Sequence, residues 1–139
     1  MQAALEQMVA EEGLPLAERS FTTNTRQALL LARRVLQQRP GRFLALHDAL
    51  FHAFFAERRN IGDPAVLTAL ATEYGVEDLL PEANDPAALA GLLEDVEMAQ
   101  TVGLTGVPTL QVGERVFPGA VSTETLVAAL VTYTEEGGD

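Results

Sequence analysis

The stretch GLTGVPTLQVGERVFPGAVSTETLVAAL, residues 103–130, decides the fold class of this chain. β-Branched and aromatic residues on both sides of Gly113-Glu114 predict a β-hairpin, and a following Pro-Gly pair ends its second strand. Ser122 then predicts the cap of a closing helix. The inner face of that helix is predicted to hold Leu126, Ala129, Leu130 and Tyr133. Two strands make a poor sheet by themselves, so the pattern indicates a hairpin that belongs with further strands.

Upstream of this stretch, residues 1–102 carry helical patterns that predict five helices. Two of these helices open with an Asp-Pro pair, in which an N-cap is followed by proline at the first helical position. These pairs are Asp63-Pro64 and Asp85-Pro86. Another pair, Pro40-Gly41, is predicted to end the second helix.

The third predicted helix is the best candidate for the core of the helical region. It holds four of the six phenylalanines, and its apolar arc is wide enough for a helix buried between neighbours. The two histidines of the chain, His47 and His52, lie on it, and we expect them to be packing or surface residues. Because they are five positions apart, they do not form the pair that helical metal sites use, so no metal site is predicted.

The charge balance limits the partners of the chain. A formal net charge of -11 predicts repulsion from nucleic acids and from anionic membranes, because both require Lys and Arg side chains on the protein. No apolar run approaches the ~20 residues that a membrane-spanning helix needs, and the acidic N-terminus does not resemble a secretory signal. We therefore expect a cytoplasmic protein that binds neither nucleic acid nor membrane. Arginines cluster between residues 26 and 59, which indicates solvated helix faces or, alternatively, an anion-binding or partner surface.

Three segments, in their order along the chain, resemble the DsbA-like family, particularly its branch of FrnE and the 2-hydroxychromene-2-carboxylate isomerases. They are NTRQALLLARRVL, LHDALFHAFFAERRNIGDPAVLTALATEYGV and AQTVGLTGVPTLQVGERVFPGAVSTETL, and the resemblance spans residues 5–130. In that branch a helical domain is inserted between the two halves of a thioredoxin fold. The resemblance implies an α/β chain, mostly α, with an incomplete thioredoxin-like fold. Residues 1–102 would be the inserted helical region, and residues 103–139 the C-terminal ββα part.

The catalytic half of that family has no counterpart in these residues. In the family, a strand–helix–strand before the matched segments carries the CxxC of the oxidoreductases, or the serine of the glutathione-using isomerases and kappa-class transferases. The present sequence contains no cysteine, which excludes disulfides, thiolate metal ligands and a cysteine mechanism within this chain. We expect a fragment, a start codon placed too late, or a homologue that has lost its catalytic half.

The resemblance makes Gly106, Val107 and Pro108 the candidate substrate-binding loop. An X-Pro bond has only a small trans preference, so Val107–Pro108 can be held cis, and the resemblance implies that it is. A cis bond would leave the backbone groups of Val107 facing outward, where they could pair with an extended peptide or with glutathione. Pro108 lacks an N–H and cannot continue a ladder. We therefore predict a site that selects backbone rather than side chains.

Asn24 and Thr25 are two further candidate substrate-binding residues. They match the Asn-Thr pair that precedes a helix facing the active-site cleft in the family, although a helix cap is by itself a sufficient explanation. Isomerase and kappa-type members usually carry an Asp after the second strand that contacts glutathione. Here Ala120, Val121 and Ser122 offer no carboxylate, so the resemblance favours the FrnE-type oxidoreductases.

The sequence supports three hypotheses about function. The first is a thiol–disulfide oxidoreductase family protein without its catalytic half, inactive alone, whose loop holds a peptide or thiol substrate. The second is a glutathione-dependent isomerase or transferase, for which glutathione would be the cofactor. The third is a non-catalytic helical interaction module in which the exposed sheet edge is covered in a homo-oligomer. No other cofactor is predicted.

Overall fold

The computed structural model of this chain describes residues 2–17 and 23–137. The chain divides into two compact units, Met1–Leu92 and Leu93–Asp139, which we call the N-terminal and the C-terminal unit. The division falls within a helix. The boundary predicted after residue 102 is of a different kind, because it separates the inserted helical region from the C-terminal part of a thioredoxin fold. That boundary stays a prediction.

Seven α-helices, one short 3₁₀-helix and one β-hairpin are found in the described residues. In chain order they are α1 (Gln2–Glu11), α2 (Arg26–Gln38), α3 (Pro40–Phe55), α4 (Pro64–Glu73), the 3₁₀-helix (Glu77–Leu79), α5 (Leu80–Ala83), α6 (Pro86–Thr101), β1 (Thr109–Val112), β2 (Arg115–Pro118) and α7 (Thr123–Glu135). The five upstream helices, the hairpin and the closing helix that the sequence predicts are all present. The 3₁₀-helix and the four-residue α5 were not predicted, since segments this short carry no periodic signal.

The helix boundaries confirm the predictions made from proline pairs, and α6 begins at Pro86, as the second Asp-Pro pair predicts. The Asp63 side chain caps α4 by accepting from the Ala65 N–H (2.9 Å), and Pro64 is the first residue of that helix. Helix α2 ends at Gln38, two residues before Pro40, as predicted. Pro40 is also the first residue of α3, because proline lacks the N–H that a first-turn residue leaves unused in any case. Only Arg39 separates α2 from α3.

The core of the N-terminal unit is built around α3, as predicted. Leu46 of α3 is completely buried, and it shares the core with Leu31 and Val35 of α2 and with Val76 after α4. The apolar arc of α3 is wider than the core, however, since Phe51 remains 53% exposed. At about 1.5–3 kcal/mol for each fully buried aliphatic side chain, this contiguous cluster is the main source of stability in the unit.

Two arginines, one in α2 and one directly after it, pair with acceptors from later elements of the same unit. Arg34 donates to the Glu82 carboxylate, and Arg39 forms a fork with Asp78 and donates to the Gly75 carbonyl (2.8 Å). The hydrogen bond from Arg39 holds the pKa of Asp78 below its usual value, and the same contact raises the pKa of Arg39. These two arginines therefore connect α2 and the residue after it to the segment that follows α4.

The C-terminal unit contains the hairpin and α7. The strands are antiparallel, with Thr109 opposite Pro118 and Val112 opposite Arg115, and they form a two-stranded sheet. Gly113 makes the turn with φ of 62°, a left-handed conformation that glycine adopts without steric cost. The predicted hairpin is thus confirmed.

Helix α7 begins as predicted, but one residue of its predicted inner face is exposed. Ser122 Oγ accepts from the Thr125 N–H (3.1 Å) and caps the helix. Ala129 is buried, and Leu126 and Tyr133 are half-buried, as expected. Leu130 was placed on the same face but is 52% exposed, because a two-stranded sheet is too narrow to cover the whole apolar arc of the helix.

Candidate substrate-binding loop

The loop between α6 and β1 is fixed at its two ends by hydrogen bonds within the C-terminal unit. After α6, the Leu104 N–H donates to the Ala99 carbonyl (3.1 Å). At the other end, the Thr109 hydroxyl donates back to the Gly106 carbonyl (2.7 Å), and the Gly119 N–H donates to the Pro108 carbonyl (2.8 Å). The last bond extends the hairpin pairing to the residue before β1 and the residue after β2.

Val107 is the most exposed of the large apolar residues described, with 86% of its surface accessible. The Val107–Pro108 peptide bond is cis. Within residues 2–17 and 23–137, neither the N–H nor the C=O of Val107 has a hydrogen-bond partner. The loop therefore presents one backbone donor and one backbone acceptor to solvent, next to a strand. An extended chain can use such groups as it would use a sheet edge.

Thr109 and Gly119 complete this site, and sequence reasoning did not assign them. Thr109 was given no role, and Gly119 was predicted only to end the second strand together with Pro118. Their roles depend on the antiparallel register, which brings Gly119 opposite Pro108. A Thr directly after the proline was the only available signal, and a β-branched residue at that position is equally typical of an ordinary strand.

The two remaining predicted site residues, Asn24 and Thr25, lie in the N-terminal unit at the start of α2. Asn24 Oδ1 accepts from the Arg26 N–H (3.0 Å), but the N-cap of α2 is the next residue, Thr25, whose side chain makes no cap hydrogen bond. Thr25 lines a mostly apolar cleft of about 320 Å³ together with residues of α2 and α3. The structure thus brings Gly106, Val107 and Pro108 together in one loop, while Asn24 and Thr25 belong to the other unit.

The histidines of α3 have ordinary structural surroundings. The His47 ring lies between those of Phe43 (5.2 Å between centroids) and Phe51 (4.8 Å). His52 is exposed and lies 3.6 Å from the Glu57 carboxylate. Among the residues that the structure describes, no group of His, Asp or Glu side chains is arranged to hold a metal ion.

No helix in the described part of the chain is both long and apolar enough to cross a membrane.

A helical unit followed by a proline loop, a β-hairpin and a closing helix defines a protein of the thioredoxin-fold class with a DsbA-type helical region. The family comparison agrees, since the model of the DSBA-like thioredoxin domain matches residues 1–131. The chain belongs to the DsbA-like thioredoxin domain family.

One curated protein is similar to part of the chain, and two solved structures are similar to it in fold. The uncharacterized protein YwbO of Bacillus subtilis (strain 168) is 34% identical over 88 residues, which are 58% of this chain and 42% of that protein. The chain thus spans less than half the length of this curated relative. A candidate protein disulfide isomerase from Nitrosomonas europaea superposes with a TM-score of 0.81 at 19% identity, covering 99% of this chain and 73% of that one. Proteus mirabilis ScsC in a compact conformation gives a TM-score of 0.62 at 20% identity, with 95% and 73% covered.

Proposed function

We propose that this chain is the substrate-docking part of a FrnE-like thiol–disulfide oxidoreductase and holds an extended polypeptide by its backbone at Val107. The observation that supports this proposal most directly is the free donor and acceptor of Val107 beside β1. Membership of the DsbA-like family and the solved disulfide isomerase neighbour are consistent with it.

The proposed docking uses only backbone groups of the protein. The Val107 N–H would donate to a carbonyl of the bound segment, and the Val107 carbonyl would accept an N–H from it, as in strand addition. Thr109 holds the preceding carbonyl of Gly106 in place, so the loop does not have to be ordered when the substrate binds. Side-chain identity then matters little, which suits a protein that binds many different unfolded segments.

Disulfide exchange itself requires a thiolate, and the 139 residues contain no cysteine. The chain's own residues are therefore assigned to binding and orientation. We expect the purified chain to show no reduction of insulin disulfides, and measurable turnover would contradict this assignment.

The docking step can be tested separately from the redox step. We would titrate the ¹⁵N-labelled chain with a short, unstructured, cysteine-free peptide and follow the amide signals of Val107 and Thr109. The control is the same peptide with N-methyl groups on its central residues, since it has the same side chains but fewer N–H donors. The proposal expects loop signals to shift with the first peptide and not with the second. Equal shifts with both peptides, or no shift in the loop, would refute backbone docking.

Two alternatives use the same surfaces. Glutathione could bind the Val107 groups as a short peptide. In the stretch after β2, where isomerase and kappa-type members carry an Asp that contacts glutathione, this chain has Ser122, and the Ser122 hydroxyl already caps α7. Calorimetric titration with glutathione separates this alternative from peptide binding. As a non-catalytic module, the chain would cover the open edges of its two-stranded sheet in a homo-oligomer, which sedimentation would detect. A cytoplasmic location remains part of the proposal.

A further inference from the structure

We propose that the Val107 loop prefers extended segments with basic residues on either side of the docked residue, because the charged side chains of the C-terminal unit nearest to the loop are acidic. This inference rests on the docking function proposed above, and it names the kind of polypeptide that the loop would take. The backbone groups of Val107 would hold the segment, and the electrostatic field around them would select among segments of different charge.

The hairpin and α7 give the C-terminal unit two ends, and the loop lies at one of them. The Gly119 N–H donates to the Pro108 carbonyl (2.8 Å), and Ser122, the cap of α7, follows three residues later, so α7 begins at the loop. The last turns of α7 lie at the hairpin turn instead, since a Cβ added to Gly113 would be 2.8 Å from the Tyr133 ring. We call these two places the loop end and the turn end.

The single basic residue between positions 93 and 139 lies at the turn end. This residue, Arg115, is the first of β2, and its guanidinium group lies over the Phe117 ring, 5.1 Å from the ring centroid. At about 3.3 Å per residue, the five steps from Pro108 to Gly113 separate the loop from the turn by about 16 Å. The screening length at physiological ionic strength is about 8 Å, so Arg115 does little to offset negative charge at the loop.

Two carboxylates lie near the loop end. Glu124 is in the first turn of α7, two residues after the cap. Glu97 is about one turn before the end of α6, and the Leu104 N–H ties the loop to that end by donating to the Ala99 carbonyl (3.1 Å). Both carboxylates are exposed, and neither has a basic partner among the residues that the structure describes.

The helix dipoles do not reverse the sign of the charge at the loop end. The N-terminus of α7 contributes about half a positive charge and the C-terminus of α6 about half a negative one, so the two nearly cancel there. Glu97 and Glu124 then leave the loop end negative. This field attracts Lys and Arg in a segment docked at Val107 and repels Asp and Glu.

Three versions of one cysteine-free, unstructured peptide test this preference. They differ only in the residues that flank the centre, which are Gln, Lys or Glu. Each is titrated into the ¹⁵N-labelled chain, and the amide signals of Val107 and Thr109 give the affinities. At low salt the Lys-flanked peptide should bind about tenfold more tightly than the Glu-flanked one, with the Gln-flanked peptide between them. The difference should nearly vanish at 1 M salt, where the screening length is about 3 Å.

Two variants of α7 separate the field at the loop from the total negative charge of the chain. Glu124→Lys and Glu135→Lys change the net charge equally, but the two positions are about 16 Å apart along the helix. At 0.15 M salt, Glu124→Lys should reduce the preference for the Lys-flanked over the Glu-flanked peptide about fourfold. The matched control Glu135→Lys should leave that preference unchanged.

The outcomes separate this inference from the docking function on which it rests. If no peptide shifts the loop signals, both are refuted. If the Gln-flanked peptide binds at the loop but the Lys-flanked and Glu-flanked peptides bind equally well at low salt, docking stands and the charge preference is refuted. Equal effects of Glu124→Lys and Glu135→Lys would also refute it, because the preference would then come from the total charge of the chain.

Discussion

The two units of this protein contain helices of similar length but reach stability in different ways. The N-terminal unit has a contiguous core, and Leu31, Val35, Leu46 and Val76 are its largest completely buried side chains. In the C-terminal unit, Ala129 is the one fully buried apolar residue among those described, while ten of the sixteen exposed large apolar side chains belong to that unit. Packing therefore holds the first unit together. The second unit buries little apolar surface and depends more on its backbone geometry.

The largest expected effect tests the packed core. Leu46→Ala should reduce the free energy of unfolding by about 2–5 kcal/mol, because Leu46 is completely buried and a cavity would remain. The matched variant in the other unit, Leu130→Ala, should cost about 0.5 kcal/mol or less, since half of that side chain is already in water. Urea unfolding followed by circular dichroism gives both values. A loss of similar size in the two variants would remove the contrast between the units.

A smaller effect tests the backbone geometry of the C-terminal unit. Gly113 and Gly119 both have left-handed φ values, 62° and 78°, so alanine at either position should cost about 1–2 kcal/mol. The two sites differ in their surroundings. An added Cβ at Gly113 would lie 2.8 Å from the Tyr133 ring, whereas nothing lies within 4 Å at Gly119.

Gly113→Ala should therefore be the more destabilising of the two variants. Hydrogen exchange of the β1 and β2 amides measures the difference within the hairpin itself. Equal opening in the two variants would contradict the prediction, since it would mean that the Tyr133 ring gives way to the added Cβ without cost.

The smallest effect concerns the ion pair of Asp78 and Arg39 in the N-terminal unit. The hydrogen bond from Arg39 lowers the pKa of Asp78 in the folded state. A carboxyl whose folded pKa is depressed stabilises the fold above its unfolded pKa, about 3.9, and loses this contribution as the pH falls through the folded value. Asp78→Asn should thus lower the melting temperature slightly at pH 6, with a difference that shrinks below about pH 4. For Arg39→Gln, the difference in melting temperature from the unsubstituted protein should likewise shrink below about pH 4. A difference that persists unchanged at low pH would exclude the pair as its source.

Much of the fold followed from local sequence patterns. The hairpin could be predicted from β-branched residues around Gly113-Glu114, and the starts of α4 and α7 from Asp63 and Ser122, because each signal acts within a few residues. The end of α2 beside Pro40 was predicted correctly, but the start of α3 at the same proline was not, since this residue type is suited both to ending one helix and to beginning the next.

The candidate site could be only partly predicted. Residues 106–108 were identified through a family resemblance, and the structure shows that the Val107 backbone groups have no partner among the described residues. The sequence could not predict that Thr109 and Gly119 hold the loop, because both contacts depend on strand register.

The sequence by itself determined the order and type of the main elements, the acidic charge and the absence of a thiol, because composition and short-range periodicity carry that information. Only the tertiary structure decided which apolar side chains are covered. Leu46 and Leu130 look alike as helical leucines, yet one is completely buried and the other is half exposed. The physical reason is that burial depends on the neighbours that approach a helix from elsewhere in the chain: α3 packs against α2 and α4, whereas α7 is covered on one side by a sheet of two strands.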